Sequence, residues 1–128
     1  MARIKLSTAG STESCPPKSE EELYGKRVDG YGPTRCNMVI IGECPGETEI
    51  KEGRPFCGKS GDLLDRLLGD CGIRRDEVYI TNVIKTQPPL NKFSFFRLKE
   101  NKEYYKKSVE ALREECKARH PNLILCLG

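Results

Sequence analysis

The sequence predicts an α/β fold, a parallel sheet with helices on both faces in a three-layer α/β/α sandwich. Three observations carry this. Met38-Val39-Ile40-Ile41, Val78-Tyr79-Ile80-Thr81-Asn82-Val83-Ile84 and Leu123-Ile124-Leu125-Cys126-Leu127 are continuous apolar or β-branched runs, not alternating ones. Strands buried on both faces read this way. Between the runs, apolar residues recur at helical spacing. The order strand, helix, strand, helix, strand implies right-handed crossovers between parallel strands.

Taken in order, residues 1–35 lack periodicity and read as an irregular N-terminal arm, with Ser11-Thr12-Glu13-Ser14 and Tyr31-Gly32-Pro33-Thr34 as examples. One short helical turn is expected at Glu20 to Tyr24. Residues 36–128 form the folded domain. The strand at Met38 ends at Gly42, Pro45 and Gly46, and an acidic loop follows, from Glu43 to Glu52. Asp62 to Cys71 reads as a helix with Leu63, Leu64, Leu67, Leu68 and Cys71 on one face. Ser60 or Asp62 is the expected N-cap and Gly72 the left-handed C-terminal residue. Val78 to Ile84 is the second strand, ended before Pro88-Pro89 by the loss of backbone donors. Gln87 to Lys99 reads as a loop, and Asn101 to Arg119 as a long helix striped by Tyr105, Val109, Leu112 and Cys116. Leu123 to Leu127 is the third strand, expected to be buried. The chain stops just after it, so the sequence predicts a domain that is truncated after the third strand and incomplete at its C-terminus.

A chain of 128 residues suits one domain with one core and hardly two. The net charge is only +3, which does not by itself argue for nucleic acid. Its distribution is uneven: Lys85 to Arg119 holds ten basic and five acidic residues. An acidic rim beside a basic flank suits a polyanion that delivers one group into a cleft, although a solvated mixed-charge helix gives the same count. The seven cysteines show no Cys-x-x-Cys pair, and no run is long and apolar enough to span a membrane. The expectation is a reducing, cytoplasmic setting with most thiols free, and with Cys71 and Cys126 in the core.

In parallel sheets ligands bind beyond the carboxyl ends of the strands. Here those ends are Gly42–Gly46, Asn82–Gln87 and Gly128. The glycines of Gly42-Glu43-Cys44-Pro45-Gly46 let backbone amides approach a ligand. Glu43 suits positioning a water or stabilising a developing cation. Phe56, between Pro55 and Gly58, suits stacking on a flat ring and equally suits a core position. The Asn82 carboxamide donates and accepts, which fits the edge of a nucleobase, or simply local backbone. Gly58-Lys59-Ser60-Gly61 lacks the glycine spacing of a phosphate loop.

Gly42-Glu43-Cys44-Pro45-Gly46, Gly53 through Leu64, Tyr79-Ile80-Thr81-Asn82-Val83-Ile84-Lys85, Pro88-Pro89 and Asn91 together resemble the uracil-DNA glycosylase superfamily, most closely its family 4 branch. The order and spacing match from Asn37 to Gly128. The resemblance implies an α/β/α protein of base-excision repair that flips uracil out of DNA and hydrolyses its N-glycosidic bond. It implies catalytic roles for Glu43, Glu49 and Asn82, with Glu43 beside the sugar and Glu49 in support. Uracil contacts would come from Gly42, Cys44, Gly46, Phe56 and Asn82. Lys85, Asn91, Lys92 and Arg97 are expected to contact DNA. The implied partner is uracil-containing DNA, with the chain a monomer or part of a larger polypeptide and no membrane involved.

Three departures from the family pattern matter. The family binds a four-iron, four-sulfur cluster through four cysteines, but only Cys15 stands at such a position here. Lys18, Thr86 and Ser108 occupy the other three, so no cluster and no metal are expected. Cys44 replaces a small residue. The family's last motif, a histidine before a proline with a DNA-inserting loop, lies beyond Gly128, and His120-Pro121 is not that motif. Two alternatives therefore stay open. One is a non-catalytic glycosylase-like DNA-binding module of a larger replication protein such as a phage DNA polymerase. The other is an unrelated nucleotide-binding or interaction domain of parallel α/β type.

Overall fold

The computed structural model describes residues 16–128, so Cys15 and the first part of the arm lie outside the described residues. Three strands form one parallel sheet: β1 (Met38–Gly42), β2 (Tyr79–Asn82) and β3 (Leu123–Cys126). Their spatial order is β2-β1-β3. The first crossover runs from β1 to β2 through helix α3 (Lys59–Asp70) and the second from β2 past β1 to β3 through helix α4 (Lys102–Arg119), on opposite faces of the sheet, so the crevice between the carboxyl ends of β1 and β2 is a topological switch point.

Alternation along β1 builds the layers. Ile40 points to one face and packs with Ile80 and Val78, and with Leu64 and Leu68 of α3. Val39 and Ile41 point to the other face and meet Tyr79 and Cys116, the latter on α4. A third cluster of Ile84, Phe96 and Tyr104 sits beyond the end of β2.

The arm contributes helix α1 (Glu20–Tyr24), capped by Ser19, whose Oγ accepts the Glu22 N–H. It then runs along the free edge of β2. Tyr31 and Ile80 exchange two backbone hydrogen bonds of 2.9 Å, and the Val28 N–H donates to the Lys85 carbonyl at 2.7 Å. Tyr24 stacks on Tyr104 with ring centroids 3.8 Å apart. This edge is closed.

Five expectations need correction. The third strand is not buried: Leu123, Ile124 and Leu125 are 54, 47 and 40% exposed, because β3 pairs on one side only and little covers its faces. Cys71, Leu63 and Leu67 are exposed, since only the Leu64–Leu68 line of α3 reaches the sheet, and Cys126 is exposed with the rest of β3. The acidic stretch is not all loop, because Glu47–Glu52 forms helix α2, closed by Gly53 at φ 77°. The segment from Gln87 to Lys99 winds into 3-10 turns at Pro89–Asn91 and Phe93–Arg97, with a third following at Lys99–Asn101. Helix α3 starts earlier than expected, with Gly58 at its N-cap.

Candidate functional site

At the switch point lies a pocket of about 380 Å³, lined by the whole Gly42–Gly46 turn together with Glu49, Phe56, Ser60, Asn82, Asn91, Leu127 and Gly128. The three residues on which the sequence argument most depends, Glu43, Phe56 and Asn82, converge here. Asn82 is the last residue of β2, paired in register with Gly42, and is 3% exposed. The lack of a side chain at Gly42 is what makes the site possible. A Cβ there would lie 2.5 Å from Asn82 Oδ1 and 2.6 Å from Phe56 Cε2. Gly42 is the floor on which the Phe56 ring and the Asn82 carboxamide approach each other.

Phe56 adopts a left-handed backbone with φ 52°, which costs a non-glycine residue of order 1 kcal/mol and needs support. Three contacts supply it. Arg75 Nη2 donates to the Pro55 carbonyl at 2.7 Å while its Nη1 holds Asp65 at 2.8 Å. The Phe56 carbonyl packs against Gly61, where any side chain would collide with it. The N–H groups of Cys57 and Gly58 donate to Glu49 Oε2 at 3.2 and 3.1 Å. Arg75 and Gly61 were missed from sequence. The signal for Gly61 was a glycine inside the first turn of a helix, where it is unfavourable unless something approaches closely.

Glu49 has a place other than that of a free acid or base. Its Oε1 accepts the Gly46 N–H at 2.9 Å, so three main-chain donors converge on one carboxylate. Gly58 is the N-cap of α3, where a negative charge is favoured. Glu49 thus ties the β1 turn to the Phe56 segment. The Gly46 amide is spent on this bond, which corrects the expectation that it is free for a ligand. Pro45 has no N–H, so Glu43 and Cys44 carry the turn's remaining amides.

Glu43 is exposed at the rim, its Oε2 beside Gly128. The neighbouring Cys44 thiol is pushed up to about 11 by burial and by Glu43, so it stays protonated near neutrality. Asn91 has φ 56°, its Oδ1 accepts from Gln87 Nε2 at 2.8 Å, and it lines the pocket. Lys92 and Arg97 are exposed on the adjoining turns. Lys85 is not. It is 8% exposed, and its ammonium lies 2.8 Å from Glu115 Oε1. The expectation of a phosphate-binding Lys85 does not fit this burial.

At Lys18, Thr86 and Ser108, three of the four positions where the resemblance would place cluster ligands, the donors do not fit an iron–sulfur group, and Cys15 lies outside the described residues. Thr86 is fully buried, and its hydroxyl bonds the Tyr104 hydroxyl at 2.8 Å. Ser108 Oγ donates to the Tyr104 carbonyl at 2.9 Å, and Lys18 is exposed. Hydroxyls committed to Tyr104 cannot replace thiolates. Around these positions the same segments are joined by Tyr24 stacked on Tyr104, with Phe96 beside it.

Comparison with known proteins places the chain in a family. The family model of the uracil DNA glycosylase superfamily matches residues 30–128. A type-4 uracil-DNA glycosylase of Archaeoglobus fulgidus is 40% identical over 101 residues, covering 79% of this chain and 48% of that protein. One from Thermotoga maritima is 52% identical over 65 residues, covering 51% of this chain and 34% of that protein. A DNA polymerase of Bacillus phage SP01 is 30% identical over 109 residues, covering 84% of this chain and 11% of that protein. The chain spans about half the length or less of these relatives.

Proposed function

The chain belongs to the uracil DNA glycosylase superfamily, and from that premise we propose that its pocket receives a uracil flipped out of DNA and serves hydrolysis of the N-glycosidic bond. The observation that carries this reading is the meeting of Glu43, Phe56 and Asn82 around the bare Gly42 floor.

Each residue has a role that its surroundings suit. The Phe56 ring stacks on the extruded base, recovering part of the stacking lost on flipping. The Asn82 carboxamide donates to one polar atom of the uracil edge and accepts from its neighbour. Cytosine presents the opposite pattern and leaves both groups unpaired. Bond cleavage leaves positive charge on the sugar and negative charge on the base. The exposed carboxylate of Glu43 faces the sugar side, where it stabilises the cation and orients water. Amides of the turn donate to the base as it becomes anionic. Glu49 holds the two loops together and touches no reacting atom. Asn91, Lys92 and Arg97 lie on the rim where the DNA backbone passes, and their contacts are expected to be salt-dependent.

The experiment is release of uracil from an oligonucleotide carrying one deoxyuridine, compared with Asn82→Ala. Release by the full chain and its loss in the variant supports the reading. A second reading draws on the match to the phage DNA polymerase, that of a glycosylase-like DNA-binding module within a replication protein. Base-independent DNA binding without uracil release favours that module. Absence of both DNA binding and release removes both readings.

A further inference from the structure

We propose that Lys85 and Glu115 are positioning residues that hold Asn82 in place from behind the sheet, and so set how selectively the pocket reads a base. The proposal rests on the reading of Asn82 given above.

The geometry is a closed relay. Lys85 Nζ donates to the Asn82 main-chain carbonyl at 2.6 Å and pairs with Glu115 Oε1 at 2.8 Å. The other oxygen, Glu115 Oε2, accepts from the Tyr79 hydroxyl at 2.6 Å. Arg119 stacks its guanidinium 4.0 Å from the Tyr79 ring centroid. Gly30 of the arm lies over the Tyr79 hydroxyl and Glu115, where a Cβ would stand 2.6 Å from Glu115 Oε2. The relay runs from the last turns of α4 to the backbone of Asn82, and Gly30 of the arm packs over its outer end.

The position of the link matters more than its strength. β2 ends at Asn82, where the ladder to β1 gives way to the Val83 and Ile84 bonds with Gly42 and Glu43. The only side-chain hydrogen bond to Asn82 among the described residues is the one from Lys85. It fixes the peptide from which the carboxamide springs, at the point where sheet becomes loop. Buried ion pairs are weak stabilisers, and well-packed neutral replacements are often as stable. A pair with one end fastened to a base-reading residue is better explained by orientation than by stability.

The test compares Glu115→Gln with the double variant Lys85→Met/Glu115→Gln, using the full chain. Both lack the ion pair, and only the second lacks the donor to Asn82. Two readouts are taken: the preference for free uracil over free cytosine in NMR titration, and the side-chain amide signal of Asn82. Glu115→Gln, which weakens the hold on the ammonium and leaves the donor in place, is expected to lose about threefold in preference, and no change there removes Glu115 from the proposal. The double variant is expected to lose about tenfold or more in preference, the scale of one hydrogen bond from a charged donor, and to broaden the amide signal. An unchanged preference and signal in a folded double variant overturn the proposal. If the double variant does not fold, Tyr79→Phe decides. It removes only the outer link, so a loss of about twofold in preference is expected and no change refutes. If the wild-type chain shows no preference for uracil, the pocket reading fails, and the Asn82 signal alone judges the positioning claim.

Discussion

The two edges of the sheet come from similar apolar sequences and end in opposite environments. On the β2 side, the arm pairs with Ile80 and Lys85, and every residue from Val78 to Asn82 is buried. On the β3 side, Leu123, Ile124 and Leu125 face outward on both faces with no further strand among the described residues. An apolar run states that a segment will pack well against a covered surface. It does not state which neighbour supplies the cover. At β2 the cover is an arm with no periodicity of its own, located by two backbone bridges and one tyrosine stack.

The largest expected contrast is between one core position at each edge. Ile80→Ala empties a site enclosed by Ile40, Leu64, Leu68 and Val78, and is expected to cost about 2–5 kcal/mol. Leu125→Ala, at a position 40% exposed, is expected to cost less than about 1 kcal/mol, because little enclosed volume is lost. Urea unfolding measures both. Equal losses would mean that β3 is covered in solution and would erase the contrast.

The closed edge is next tested through its fastening. Tyr24→Ala removes the stack on Tyr104 and is expected to cost about 0.5–1.5 kcal/mol beyond the lost apolar area. Hydrogen exchange is the sharper measurement. The amides of Tyr31 and Ile80, which bond each other, should exchange faster together while the β1–β3 ladder stays protected. Uniform acceleration across all three strands would show that the arm is part of the core and not a separable cover.

How far the sequence revealed these features follows from the physics of each segment. β1 and β2 were legible as continuous apolar or β-branched runs, and α3 and α4 from apolar residues at helical spacing. Helix α2 was not, because its six residues carry no apolar stripe and its capping contacts come from Glu49 and Gly53. In the site, the motif showed Glu43, Phe56 and Asn82 as chemistry-bearing groups. It could not show that Phe56 is held in a strained backbone by Arg75 from a distant turn. Lys85 was misread for the same reason: a lysine in a basic stretch looks like surface until its partner, Glu115, is placed in space. Partners far apart in the chain are the information that one sequence withholds.

Beneath the closed edge, Tyr79 offers a pH test of smaller effect near neutrality. Its phenol is pushed up to about 12 by burial and by its hydrogen bond to Glu115. The folded state therefore holds this proton more tightly than the unfolded chain, whose tyrosine titrates at about 10. The associated stability is complete below pH 10 and is lost as pH rises through about 12. Urea midpoints of the wild type should fall more steeply between about pH 10 and pH 12 than those of Tyr79→Phe. Parallel slopes would mean that the phenol is open to solvent and that Gly30 does not cover it.

The smallest effect is expected at Leu67, where the same question arises within one helix. Leu67 and Leu68 are neighbours on α3 and were equivalent members of its apolar stripe when read from spacing. Leu68 packs in the Ile40 cluster, whereas Leu67 is mostly exposed. A step of one residue turns the side chain by about a quarter of a helical circle, enough to leave the sheet. Leu67→Gln keeps helix propensity nearly unchanged and is expected to alter stability by no more than about 0.5 kcal/mol in thermal unfolding. A loss nearer to that of a buried leucine would show that something covers this side of α3 as well. The open region would then be smaller than β3 alone suggests.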